Sequence, residues 1–419
     1  MTNIRFLNGL NTIGASIAEF STSSTRIITD FGMTVNFQIG TAQSLIEKHV
    51  LPNFPELFGE ERKTNVRYKH EAIFITHLHL DHTAALAYLK SDIPVYLSRS
   101  SYKLYCSLVK QGLDLALNVN FQIFDYEVPV NIGDLTVTAY QSDHDVLGVA
   151  AFLIEDGKHS FGQSGDVRLN GPHKEDVNKW ITIFKKKQLD LLILEATSFS
   201  FPEKSGLKEN KKINVELKCL RDFEDILNKN NDLIVINPYP RNIERVLELN
   251  RLANELNKPI VWEKQYAKVL REFTESDPIF VLDDGNLGLN NTIGLIPVTI
   301  LTIMNNISHF CLQNSFENLE NLSNFYKFIY VHCNGDPIGE YDLHYQRLKS
   351  FLRNRNSEFI DIGVSGHATR EEICEIAMNV AAKKTVIWHS SKPNEAIKEL
   401  EGSGLHFLNP IREKKYHFE

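Results

Sequence analysis

The run His77-Leu78-His79-Leu80-Asp81-His82 places four metal-ligand side chains in six positions, directly after the apolar stretch Ala72-Ile73-Phe74-Ile75. A short uninterrupted apolar run reads as a strand buried on both faces. His77 and His79 stand two apart just beyond it. In extended chain such residues point to the same side, so the pair can share one ion. Asp81 and His82 are adjacent and directed away from that pair, which suits a second ion. The donors are imidazole and carboxylate only, a set that favours Zn2+ and admits Mn2+ or Fe2+. Two divalent ions about 3.5–4 Å apart lower the pKa of a water held between them and spread charge that develops on a substrate oxygen. The motif therefore reads as half of a two-metal hydrolase centre.

Outward from this motif the N-terminal third alternates strands and turns. Ala15–Phe20 and Arg26–Asp30 read as two antiparallel strands joined by a Ser/Thr-rich turn, and Leu135–Ala139, Gly148–Ile154 and Leu191–Leu194 as further strands. After Thr197 the texture becomes polar and Lys-rich, and a helix near 213–229, a strand at Leu233–Ile236 and a helix near 241–257 suggest a parallel α/β unit. The chain has 419 residues, which suits two domains or one core with a large insertion. It shows neither a membrane-length apolar run nor a signal peptide. The five cysteines are widely spaced with no Cys-x-x-Cys pair, against a disulfide framework and in keeping with a reducing cytoplasm. A net charge of −8 argues against nucleic-acid binding over the whole surface. Lys185-Lys186-Lys187 and the stretch Lys204, Lys208, Lys211, Lys212 are either a local basic groove or solvated faces.

The central motif resembles the His-x-His-x-Asp-His signature of the metallo-β-lactamase superfamily. That resemblance implies roles for further residues. Asp30 matches the first aspartate, which braces the histidine loop from behind; His144 the third histidine of the first metal; Asp166 the carboxylate shared by both ions, also placed to orient the hydroxide; and His389 the last histidine, on the second metal. The implied metal ligands are thus His77, His79, Asp81, His82, His144, Asp166 and His389.

Glu195, His367 and His389 resemble the three motifs of the β-CASP nucleases within this superfamily. Arg241–Val246, Asn334-Gly335-Asp336-Pro337 and Ser365-Gly366-His367-Ala368 resemble segments of ribonuclease J. RNA-processing β-CASP members carry histidine at the last motif, as His389 does here, whereas DNA-processing ones carry valine. The physical reading agrees. A leaving ribose oxygen needs a proton, which His367 can supply with Glu195 holding its tautomer and raising its pKa. Thr369-Arg370-Glu371-Glu372 is a capping box, and the backbone N–H groups of Ser365, Gly366, His367 and Ala368 beside that helix start can cradle a phosphate.

The resemblance implies an α/β fold, a metallo-β-lactamase αββα sandwich with an inserted β-CASP α/β domain. The sandwich spans 1–205 and 351–419, and the insertion 206–350. It implies a two-metal-dependent hydrolase with catalytic residues Asp81, Asp166, Glu195 and His367: a cytoplasmic ribonuclease that cuts RNA phosphodiester bonds with metal-activated hydroxide. Single-stranded RNA is the expected partner and two zinc ions the cofactors, with manganese as the other choice. A membrane partner is not expected, and a homo-oligomer is compatible with the reading. The alternatives are a hydrolase of another phosphodiester or small ester, and a non-catalytic protein stabilised by its metals. Two departures bear on this choice: Gly363 stands where ribonuclease J has histidine, and the chain is expected to lack that enzyme's C-terminal domain.

Overall fold

Three sheets organise the described residues. The computed structural model describes residues 1–34, 40–59, 68–202, 215–283, 285, 294–339 and 342–419. Two compact units emerge, one from the described residues within 1–103, 116–211 and 366–419, the other from those within 104–115 and 212–365.

The first unit contains two sheets. One has seven strands, in the order Tyr416–Phe418, Thr2–Asn8, Ile17–Ser21, Thr25–Thr29, His70–Phe74, Pro94–Ser98 and Asn120–Phe124. The N-terminal strands pair antiparallel, as the Ser/Thr turn requires, and pairing becomes parallel from Thr25–Thr29 onward. The other has six strands, in the order Thr385–Trp388, Leu191–Glu195, Ser160–Gln163, Ala150–Glu155, Leu135–Gln141 and Val130–Ile132. Phe6, Phe20 and Phe74 of the first sheet share one buried cluster with Phe152, Phe161 and Trp388 of the second, so the sheets face each other. Helices Lys174–Lys187 and Arg370–Val380 cover the other face of the six-stranded sheet, through Trp180, Phe184, Ile373 and Ile376. The predicted capping box forms: Thr369 Oγ1 accepts from the Glu372 N–H, and the Glu372 carboxylate accepts from the Thr369 N–H.

The second unit is a seven-stranded sheet whose pairs are all parallel, in the order Ile296–Thr299, Phe280–Asp283, Ile260–Trp262, Cys311–Gln313, Ile234–Pro238, Ile329–Cys333 and Glu358–Asp361. Helices Val215–Lys229 and Ile243–Glu255 flank its first strand in sequence, as expected.

Two readings change. Phe359 to Trp388 looks like one strand-helix-strand, but Glu358–Asp361 pairs with Ile329–Cys333 in the second unit while Thr385–Trp388 pairs with Leu191–Glu195 in the first. The second unit therefore runs to 365 rather than 350. Apolar patterning identifies a strand but not its neighbour. Residues 104–115, assigned by sequence to the sandwich, also cluster with the second unit. Lys185–Lys187 form the exposed last turn of a helix, where cations offset its C-terminal dipole, and Lys187 pairs with Glu155 at 2.7 Å. The predicted boundary at 205/206 and the stretch Lys204, Lys208, Lys211, Lys212 lie outside the described residues. Among the described residues no helix is long and apolar enough to cross a membrane.

Candidate metal centre

The backbone changes character inside the central motif. The strand His70–Phe74 runs into an extended loop, His79 (φ −70°, ψ 148°) is the N-cap of the helical turn Leu80–Thr83, and Asp81 and His82 lie within that turn. Extended chain keeps His77 and His79 together, and the helical turn redirects Asp81 and His82. His144 and Asp166 enter from loops that follow the strands Leu135–Gln141 and Ser160–Gln163, and His389 directly follows Thr385–Trp388. One ligand atom each from His77, His79, His144 and Asp166 falls within 4.8 Å of the others, and the same holds for Asp81, His82, Asp166 and His389. Asp166 belongs to both sets.

The hydrogen bonds behind the histidines set their tautomers. Each ring nitrogen bound to an acceptor carries the proton, which leaves the other as a lone-pair donor. His82 Nδ1 donates to Asp30 Oδ2 at 2.9 Å, and His389 Nδ1 to Thr197 Oγ1 at 2.8 Å. His144 Nδ1 donates to the Gly366 carbonyl. His77 Nδ1 donates to Thr76 Oγ1 at 3.0 Å, and that hydroxyl lies 2.9 Å from Asp30 Oδ1. Nε2 of His77, His82 and His144 thereby lies 3.3–3.6 Å from Asp166 Oδ2. His79 contributes Nδ1 instead, 3.1 Å from His144 Nε2. His389 Nε2 lies 3.0 Å from Asp81 Oδ2.

Electrostatics favour cation binding. Burial holds His77, His79 and His144 below the ordinary histidine pKa, His144 at about 4, so all three are neutral donors. Burial also works to raise Asp81 and Asp166, but neighbouring histidines outweigh it and keep both carboxylates ionised. His82 is raised well above its ordinary value, because Asp166, Asp30 and Asp81 overcome the cost of burying its charge. The buried atoms His77 Nε2 and Asp166 Oδ1 have no hydrogen-bond partner among the described residues. Buried carboxylates in such number call for compensating charge, and the donor set fits a pair of divalent cations. Asp30 and His389 hold positive φ (58° and 51°), a conformation uncommon outside glycine that persists only where surroundings impose it.

Glu195 and His367 meet beside this centre. His367 Nδ1 lies 3.2 Å from Glu195 Oε1 and 4.0 Å from Asp166 Oδ2. Burial works to lower the His367 pKa, and the Glu195, Asp166 and Asp145 carboxylates raise it to about 9. Glu195 is fixed by the N–H groups of Thr197 at 2.8 Å and Val167 at 3.3 Å.

The phosphate cradle expected of Ser365, Gly366, His367 and Ala368 needs one correction. The Ala368 N–H already donates to the Val167 carbonyl at 2.7 Å, so it is not available to a ligand. A Cβ on Gly366 would stand 2.4 Å from Asp145 Oδ1 and 2.8 Å from His144 Cε1, so a side chain here would have to displace both.

Sequence reasoning missed the supports. Thr76 links His77 to Asp30, Thr197 holds His389, and the buried Asp143 accepts from Arg168 Nε at 2.8 Å and from the His173 N–H at 2.7 Å, anchoring the loop before His144. Their only sequence signal is adjacency to the motifs. Asp145 Oδ1, 3.2 Å from His144 Nε2, is a further carboxylate at the site.

Residues 53–213 match the model of the β-lactamase superfamily domain. The chain is 24% identical over 258 residues to ribonuclease J of Mycoplasma genitalium, a match covering 60% of this chain and 42% of that protein. It is 23% identical over 300 residues to the probable RNase MJ4 of Methanocaldococcus jannaschii, covering 63% of this chain and 62% of the relative. Integrator complex subunit 11 of Danio rerio is 26% identical over 208 residues, covering 44% of this chain and 32% of that one. The chain thus spans less than half the length of the ribonuclease J proteins it matches. A crystal structure of a protein of unknown function from Enterococcus faecalis V583 shares the fold, with a TM-score of 0.85 at 24% identity over 99% of both chains. The chain carries a metallo-β-lactamase domain, and over about 60% of its length it is homologous to ribonuclease J and to the archaeal RNase, members of the β-CASP group.

Proposed function

We propose that this protein is a two-metal-dependent ribonuclease acting on single-stranded RNA. The observation that carries the reading is the Glu195–His367 contact of 3.2 Å beside the shared carboxylate Asp166. In an in-line displacement at phosphorus the ribose oxygen departs on the side opposite the attacking water, so its proton must come from a separate group, a role this pair can fill. The relatives named as ribonucleases support the same substrate class.

His77, His79, His144 and Asp166 would hold one ion, and Asp81, His82, Asp166 and His389 the other, with zinc favoured by the donors. When bound, the two cations supply Lewis-acid activation of water and neutralise phosphate charge. Asp166 orients the attacking oxygen through its carboxylate. Glu195 accepts from His367 Nδ1, fixing the ring so that the Nε2 proton goes to the leaving oxygen.

The test uses purified full-length protein with Zn2+ or Mn2+ and a panel of single-stranded RNAs differing in sequence and 5′ state, beside chromogenic phosphodiester, lactone and β-lactam substrates. RNA hydrolysis is expected, abolished by His79→Ala. His367→Ala and Glu195→Gln are expected to lower its rate by about 10²–10⁴-fold while bound metal stays at the parent level. Turnover of only the small substrates would replace this reading with that of a small phosphodiester or ester hydrolase.

A further inference from the structure

The chain is acidic overall, yet between Asp342 and Glu358 it carries Arg347, Lys349, Arg353 and Arg355 and no carboxylate. The helix Tyr345–Arg353 buries Leu348, Phe351 and Leu352, which turns its cations outward or along its flanks. Five exposed lysines of the chain, Lys110, Lys179, Lys187, Lys218 and Lys229, each lie 2.5–2.7 Å from a carboxylate. Here the partners differ. Lys349 Nζ sits 3.6 Å from the centroid of Phe359, Arg355 stacks on Phe351 at 3.7 Å and donates to Ser323 Oγ, and Arg353 donates to Ser350 Oγ. None of these three has a carboxylate within 4.0 Å among the described residues. Tyr326, 78% exposed, stands beside them, its hydroxyl 3.1 Å from Asn356 Nδ2.

Arg353, in the last turn, offsets the helix dipole. The dipole gives no account of Lys349 or Arg355, and all three cations stand near an exposed aromatic ring. Uncompensated cations interleaved with aromatic faces suit a strand that offers both phosphates and unpaired bases. A duplex offers the phosphates but keeps its bases stacked.

We propose that the helix Tyr345–Arg353 and the turn after it form a docking surface for single-stranded RNA, with Lys349, Arg353 and Arg355 on successive phosphates and Tyr326 stacking a base. The inference rests on the ribonuclease reading for its choice of polyanion, but it concerns a surface separate from the metal ligands and is read by binding rather than hydrolysis.

The experiment measures binding of a fluorescent single-stranded RNA of roughly 20 nucleotides to the full chain, in EDTA, by anisotropy across a salt series. The triple variant Lys349→Gln, Arg353→Gln, Arg355→Gln is expected to weaken binding tenfold to a hundredfold near 0.1 M salt. It should also reduce the slope of log K against log salt by about 2, at roughly 0.7 per phosphate lost. Tyr326→Ala is expected to weaken binding about tenfold without changing that slope. The charge-keeping triple Lys349→Arg, Arg353→Lys, Arg355→Lys should retain the parent slope, which separates charge from folding. Neutralising Lys185, Lys186 and Lys187 to Gln should change nothing. An unchanged slope in the first triple, an equal loss in the Lys185–Lys187 triple, or equal competition by duplex RNA each overturns the proposal. A parent that binds RNA through this surface yet hydrolyses none defeats the ribonuclease reading alone. A parent that cleaves RNA while the first triple binds it normally defeats the docking surface alone.

Discussion

Removing the Asp30 carboxylate should unbrace the metal loop even with no metal bound. Asp30 accepts from the Thr76 N–H at 2.8 Å, the Thr76 hydroxyl at 2.9 Å, His82 Nδ1 at 2.9 Å and Gln163 Nε2 at 3.2 Å, all buried. In Asp30→Ala the hydroxyl can turn elsewhere, but the other three donors lose their acceptor inside the fold. A stranded buried donor costs about 1–3 kcal/mol. Alanine at φ 58° adds roughly 1–2 kcal/mol that aspartate and asparagine largely escape. The expected loss is at least about 4 kcal/mol and up to about 11, a large part of the 5–15 kcal/mol typical of a folded domain. Asp30→Asn keeps the shape and one acceptor oxygen and should lose about half as much. The assay is urea unfolding in EDTA, so that bound ions contribute nothing, followed by circular dichroism and tryptophan fluorescence. If Asp30→Ala lies within about 1 kcal/mol of the parent, the claim that these bonds hold the loop is wrong.

Thr197→Val removes the hydroxyl that accepts from His389 Nδ1. It should weaken the affinity for added divalent cation by about 10–100-fold, measured by competition with a chromogenic chelator, and Thr197→Ser should restore it. Gly32→Ala places a Cβ 1.6 Å from the Asp81 carbonyl oxygen. That backbone cannot yield without moving the motif, so metal content by mass spectrometry should fall along with the melting temperature. His332, buried in the second unit, has its pKa raised. Burial works to lower it, but Asp361 at 3.3 Å from Nδ1 and the Gly335 and Pro337 carbonyls at 2.8 and 3.0 Å from Nε2 prevail. Its stabilisation is therefore complete below the unfolded value near 6.5 and is lost as pH rises through the raised folded value. His332→Gln should flatten that part of the urea-midpoint profile, and a parent-like slope would refute the assignment.

The amino-acid sequence by itself determined the ligand types and their local grouping. Four donors fall within six residues after a buried strand, so extended chain followed by one helical turn is enough to split His77 and His79 from Asp81 and His82. The capping box of Thr369 and Glu372 was legible for the same reason, since its partners lie three residues apart. What the tertiary structure alone decided involves partners far apart in the chain. Thr197 meets His389 across 192 residues, His144 meets Gly366 across 222, and Glu195 meets His367 across 172. These contacts choose which imidazole nitrogen carries the proton, which no local spacing encodes. The same holds for Ala368, whose N–H the fold turns inward to Val167, and for Glu358–Asp361, a recognisable strand assigned to its sheet only by the neighbour it pairs with. A periodicity records what a residue avoids, namely water, whereas a hydrogen bond records what it meets, and only the assembled chain specifies that.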